Sequence, residues 1–212
     1  MRSTEVAAVR IALVTDTYTP QVNGVTTVVQ RIARLLQAAG HAAAVVAPRY
    51  PDRAAGNGND ELRIPSLPFP PYPSVRLSLP FGHRVDGYLA RFAPDLVHLH
   101  TEGPLGTIGR RWALRADVPL VTTFHTQFPQ YARYYGLPAL EALVWRWLTW
   151  FHRPARFTQT PGEFIRDELV ARGVARAMVW GRGVDHRDPA GPAVVTQPLQ
   201  RLHWPVTRDR SV

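Results

Sequence analysis

A strand, a loop, a helix and a second strand open this chain in direct succession, and no other stretch constrains the fold as much. Residues 10–15, Arg-Ile-Ala-Leu-Val-Thr, form a nearly unbroken apolar run of strand length. Residues 16–24 carry Asp16, Thr17, Pro20, Asn23 and Gly24, the residue types of a loop. From 25 to 39, Val25, Val28, Val29, Ile32, Ala33, Leu35, Leu36 and Ala39 recur at helical spacing, and Gly40 marks the stop. Residues 42–47 are again apolar throughout. Two buried strands joined by one helix run parallel, with a right-handed crossover. Asn23 suits the N-cap, and Gly24 leaves no side chain between the backbone and whatever sits at the helix N-terminus. Free N–H groups and a positive dipole there suit a phosphate. A glycine that opens a helix is also a common tight turn, and G-x-G-x-x-G is absent, so spacing alone leaves both readings open.

The alternation continues along the chain. Residues 62–66 read as an edge strand, because Pro65 has no N–H for a central ladder. The proline-rich run 68–73 reads as a stiff, extended connection. A helix over 81–92 stops at Ala93-Pro94, and a strand follows over 95–100. Helices are expected over 107–115, 139–152 and 162–172, strands over 119–124 and 156–160, and a short strand and turn over 177–185. This order predicts a doubly wound, mostly parallel α/β sheet. In such sheets ligands lie outside the carboxyl ends of the strands. That rule selects the loops 16–24 and 100–106 together with His125 and Thr126.

Composition narrows the function classes. The 212 residues carry a net charge of +9, with no lysine and no cysteine. The charge favours anionic partners, while cysteine-based zinc sites and disulfides are excluded. The apolar start meets Arg10 and Asp16 too early for a signal peptide. The aromatic run 143–151 is interrupted by Arg146 and is too short to span a bilayer. A cytoplasmic chain follows as the expectation. The arginines are scattered, so a nucleic-acid module is not expected.

Three stretches carry a resemblance: RIALVTDTYTPQVNGVTTVVQRIARLLQAAGH, DLVHLHTEGPLG and PLVTTFHTQFPQYARYYG, with VWGRGVD closing the match. Over residues 10–185 the chain resembles the amino-terminal half of a GT-B glycosyltransferase of family 4. It is most similar in kind to the GDP-mannose-dependent α-mannosyltransferases. The resemblance implies a Rossmann-like acceptor-side domain and retaining transfer of a hexose from a nucleotide-sugar, GDP-mannose, to a glycolipid or glycan. It implies that Asn23, Gly24 and Val25 approach the donor pyrophosphate and that His125 contacts the transferred sugar. Asp16, Tyr18, Glu102 and Thr126 fall on the acceptor side. Nothing in the chain requires a metal and no cofactor is expected; action at the inner face of a membrane is expected.

The residues themselves allow plainer roles. His125 also reads as a hydrogen-bonded histidine at a strand end, and Glu102 as a solvated loop residue. His98 and His100 alternate with leucines, so only one is expected to share a face with the next residue out, and no third ligand marks a metal site. Trp147, Trp150 and Phe151 stand at helical spacing and are expected to pack on the sheet. The arginines around them keep lipid contact open, as do the segment 72–84 and the loop 131–135.

By the resemblance, a second domain would hold the nucleotide, with an Arg/Lys pair and paired glutamates. Residues 186–212 contain no glutamate and neither periodicity. They are expected to be an irregular, disordered tail after a truncated or frameshifted domain, with the donor-binding half absent or supplied in trans. The alternative is a noncatalytic module that holds an acceptor or a partner.

Overall fold

Short central strands suffice here because each is covered on both sides. The computed structural model describes residues 7–51, 60–69, 72–125 and 138–180. Its strands are β1 (Arg10–Val14), β2 (Ala42–Pro48), β3 (Glu61–Ile64), β4 (Ser66–Phe69), β5 (Tyr72–Ser78), β6 (Leu96–Leu99), β7 (Leu120–Thr123), β8 (Phe157–Thr160) and β9 (Ala177–Val179). Its helices are α1 (Gly24–Ala38), α2 (Gly82–Phe92), α3 (Pro104–Arg115), α4 (Pro138–His152) and α5 (Glu163–Ala171). Seven strands form one sheet in the order β3-β2-β1-β6-β7-β8-β9, with every neighbouring pair parallel. The winding reverses between β1 and β6, which puts the switch point where the loops 15–23 and 100–103 emerge.

Side chains alternate across the sheet. Ile11, Leu13, Ala43, Val45 and Ala47 pack with Val29 and Ala33 of α1. Ala12, Val14, Val46, Val97, Leu99 and Leu120 pack on the other side with Val85 and Leu89 of α2, Leu105 and Ala113 of α3, and Phe151 of α4. A third cluster joins Phe124 to Trp145 and Leu148 of α4 and Ile165 and Leu169 of α5.

Helix ends follow their local signals in part. Asn23 Oδ1 accepts from Thr26 N at 2.9 Å and caps α1, and Gly40 closes it at φ 81°. α3 begins at Pro104, earlier than its apolar spacing indicates, because its cap comes from elsewhere in the chain. Leu105 N donates to Asp16 Oδ1 at 2.8 Å and Gly106 N to Asp16 Oδ2 at 3.3 Å. The preceding residue, Gly103, has no side chain to offer.

Two expectations are corrected. Residues 68–69 and 72–73 lie in two paired strands rather than in a plain connection. β4 and β5 pair antiparallel, Ser66 with Ser78 and Leu67 with Leu77, with an irregularity at Pro68/Phe69. A two-stranded ribbon has free edges on both sides, so its prolines forfeit few ladder bonds. On α4, Trp147 and Trp150 do not pack on the sheet. They are 42% and 43% exposed, whereas Trp145, Leu148, Phe151 and His152 are buried. The edge-strand reading holds for β3, which ends just before Pro65. The sheet belongs to a unit spanning residues 1–180. Residues 181–185 of the closing motif, the expected tail 186–212, the loop 131–135 and Thr126 lie outside the described residues.

Gly103 just before α3, with Gly106 and Gly109 inside it, makes one close face. A Cβ on Gly103 would lie 2.6 Å from Asp16 Cγ, and one on Gly109 would lie 3.0 Å from Leu99 Cδ2. A Cβ on Gly106 would collide with the Thr101 carbonyl oxygen. Gly106→Ala is therefore expected to cost about 3 kcal/mol of stability through overpacking. Gly87→Ala, in α2, meets nothing closer than Arg91 Nη1 at 3.8 Å and is expected to gain about 0.5 kcal/mol. Urea midpoints of the two variants check both signs.

Candidate functional site

The loop after β1 is held by a chain of polar contacts that ends at the α1 cap. Asn23 Nδ2 donates to Thr17 Oγ1 at 2.7 Å, and Thr17 Oγ1 donates to Gln21 Oε1 at 2.7 Å. The Tyr50 hydroxyl donates to the same Gln21 oxygen at 2.9 Å. Arg63, buried on the edge strand, donates to the Thr19 carbonyl at 2.9 Å and Thr19 Oγ1 at 3.0 Å. It pairs with Glu61 at 2.8 Å, and its guanidinium lies 4.7 Å from the centroid of the Tyr18 ring. Tyr18 is thus packed beneath Arg63 and 5% exposed.

Among the described residues, nothing outside its chain neighbours and its own helix backbone lies within 4 Å of a Cβ placed on Gly24. No acidic residue occupies the first turn of α1. The N–H groups there meet an open, uncancelled dipole end. Val25, half-buried, packs into the α1 core, so its backbone is what remains for a ligand.

Asp16 and Glu102, both expected to meet an acceptor, have internal partners. Besides the two α3 amides, Asp16 Oδ2 accepts from Thr101 Oγ1 at 2.7 Å. Burial raises the Asp16 carboxyl above the ordinary carboxylate value, opposed by these hydrogen bonds. Glu102 Oε1 lies 3.2 Å from His152 Nε2, and the Glu102 carbonyl accepts from Trp147 Nε1 at 3.2 Å. His152 Nδ1 contacts Thr122 Oγ1 at 2.8 Å, which contacts Thr158 Oγ1 at 2.9 Å. This buried relay ties α4 and the 100–103 loop to β7 and β8. Sequence reasoning missed it. Its one visible trace is that Thr122 and Thr158 hold paired positions on adjacent strands.

Three histidines line the other side of the sheet. β6 puts both His98 and His100 on one face, since side chains two apart project together, and this corrects the expectation that only one would share a face with the next residue out. Their ring centroids are 4.0 Å apart. His98 Nε2 lies 2.7 Å from Thr123 Oγ1, which donates to Gln159 Oε1 at 2.8 Å. The His98 ring is therefore the donor to Thr123. His100 Nδ1 meets His125 Nε2 at 3.2 Å. His125 is half-buried and outermost, at the carboxyl end of β7.

Burial drives the His98 pKa down to about 3, with the charge of His125 adding to it. Burial, then His98 and His125, holds His100 well below the ordinary histidine value. At neutral pH these two rings are uncharged. Among the described residues, no three of His, Asp and Glu are arranged to hold a metal ion. The carboxyl edge therefore presents an open helix N-terminus and a histidine fixed by a neutral histidine behind it.

A profile described as Glycosyltransferase Family 4 matches residues 22–188. The chain is 37% identical over 182 residues to a GDP-mannose-dependent alpha-mannosyltransferase of Mycobacterium tuberculosis, covering 84% of this chain and 48% of that protein. It is 30% identical over 162 residues to an alpha-monoglucosyldiacylglycerol synthase of Streptococcus pneumoniae, covering 76% of this chain and 37% of that one. The chain thus spans half or less of the length of these relatives. In fold it resembles the Anabaena protein HepE, solved in complex with UDP-glucose. The TM-score is 0.54 at 14% identity, over 82% of this chain and 44% of HepE.

The neutral histidines set an acid limit. The folded pKa of His98 is depressed, so below about pH 6.5 the unfolded chain binds a proton that the folded chain refuses. Stability is fully present above that value and falls as the pH drops toward about 3. His98 alone contributes a slope of about 1.4 kcal/mol per pH unit within that window. Asp16, whose folded pKa is raised, acts in the opposite sense. Urea midpoints at pH 7 and pH 5 are expected to differ clearly in the native chain and less in His98→Gln.

Proposed function

This chain belongs to glycosyltransferase family 4, and from that premise we propose that it forms the acceptor-side half of a retaining hexosyltransferase. The donor is a nucleotide-sugar, GDP-mannose, and the acceptor a glycolipid or similar glycan at a membrane face. A second domain, joined to this one or supplied by another polypeptide, would hold the nucleotide.

The observation that carries the reading is the pairing of the open α1 N-terminus with His125 along one sheet edge. The backbone at Asn23, Gly24 and Val25 offers N–H donors and the positive dipole end to the diphosphate. Loss of a nucleoside diphosphate builds negative charge on the leaving oxygen, and fixed donors stabilise that charge without reorganising. His125, held through Nε2 by His100, is proposed to contact the transferred sugar. Thr126 follows it directly in sequence and is assigned to the acceptor side with Tyr18. Asp16 and Glu102, bound internally, are assigned to hold the loops that shape the acceptor side.

The mannosyltransferase relative supports the choice of donor, and the glucosyldiacylglycerol synthase relative supports a lipid acceptor. UDP-glucose in HepE supports a nucleotide-sugar in general.

The test has two parts. Calorimetric titration of the 212-residue chain with GDP-mannose is expected to give binding far weaker than micromolar, since half of the donor site lies elsewhere. Micromolar affinity overturns the acceptor-side assignment. Supplied with the carboxyl-terminal half of the mycobacterial relative, the chain is expected to transfer mannose to a glycolipid extract. His125→Ala should then lower transfer by about a hundredfold while leaving the urea midpoint within about 1 kcal/mol. Retained acceptor binding without transfer, with the donor half present, indicates a binding module instead.

A further inference from the structure

α4 carries two aromatic stripes, and the fold uses one. Trp145, Leu148, Phe151 and His152 are buried. On the outward side Leu143 is 60% exposed, and Trp147 and Trp150 are partly exposed with their ring centroids 4.8 Å apart. Trp147 already donates its N–H to the Glu102 carbonyl, so it offers its ring faces. Arg110 lies 3.8 Å over the Trp150 ring and donates to the carbonyls of Trp150 and Phe151. These contacts fix the rings in an exposed position.

The groove over this face has a volume of about 850 Å³, and Arg110, Arg146, Arg153 and Arg172 line it beside the indoles. Among the described residues, no acidic residue lines it. Of these arginines, Arg172 pairs with Glu168 at 3.1 Å. Among the described residues, no helix is long and apolar enough to cross a membrane.

We infer that this face of α4 docks on an anionic lipid bilayer. An exposed apolar stripe between cations is the pattern of a helix lying in the interfacial plane. Indole rings settle at the headgroup level, and arginines on anionic lipid add attraction residue by residue. A symmetric contact with a second copy would bring the same arginines against one another. The face stands on its own geometry, but it deepens the glycolipid reading at one point. Trp147 and His152 both hold Glu102, so a seated α4 keeps the 100–103 loop and the sheet edge near the bilayer surface.

The test uses the full chain and sedimentation with vesicles of phosphatidylcholine, pure or with about a third phosphatidylglycerol. Binding to the anionic vesicles alone is expected, weakening with salt. Arg146→Glu should bind about tenfold more weakly, and Trp150→Ser should weaken binding further. Arg34→Glu changes net charge equally on α1, across the sheet, and should bind as the native chain does. Urea midpoints of all three should match the native chain, and Leu143→Ser replaces any variant that does not fold. Equal binding to neutral vesicles, equal loss in Arg34→Glu, concentration-dependent dimerisation through this face, or binding of single-stranded oligonucleotide in place of vesicles each overturns the inference. None of these readouts requires transfer, so a failure here and a failure of the transferase reading are separable.

Discussion

The Asp16 carboxylate at the start of α3 is the contact on which the carboxyl edge of the sheet depends. It leaves β1, takes the Leu105 and Gly106 amides, and accepts from Thr101. Three donors offset the cost of burying one carboxylate. Because β1 and β6 flank the switch point, this one side chain fixes the loop after β1 to the loop after β6. The glycine face of α3 lets the helix come close enough for that bond to form. Every residue in the candidate site takes its position relative to this joint.

β7 divides the remaining polar groups. Thr122 faces α4 and completes a relay through His152 to Glu102, while Thr123 faces the opposite way and receives His98. Adjacent residues on one strand thus anchor two buried networks on opposite sides of the sheet. One network positions α4 and its outward face. The other keeps two uncharged imidazoles behind His125, so the floor beneath that histidine is polar but uncharged.

Much of this was legible in the sequence because the signals were local. Each central strand is a short apolar run, the α1 cap is a single asparagine, and Gly40 closes the helix where its position in sequence indicates. His125 and the glycine at α1 stand out for the same reason. What stayed hidden depends on partners far apart in the chain. The Asp16 cap on α3 spans the β1–β6 switch, and no neighbouring residue of α3 announces it. α4 failed for a different reason: Trp145 and Trp147 begin two aromatic stripes on one helix, and periodicity does not say which stripe is inside. The pairing of β4 with β5 was hidden by prolines that a free-edged ribbon tolerates.

The closeness of Gly103 to Asp16 has a consequence for how sequences of this kind diverge. A Cβ at position 103 and a carboxylate at position 16 compete for the same space. A drift away from glycine at position 103 therefore demands a smaller or differently directed residue at position 16, and that change surrenders the cap on α3. The two positions can only move together, through an intermediate that folds less well than either end. Such a pair is a barrier in sequence space, and it ties the start of the chain to its middle through substitution history as firmly as the hydrogen bonds do through structure.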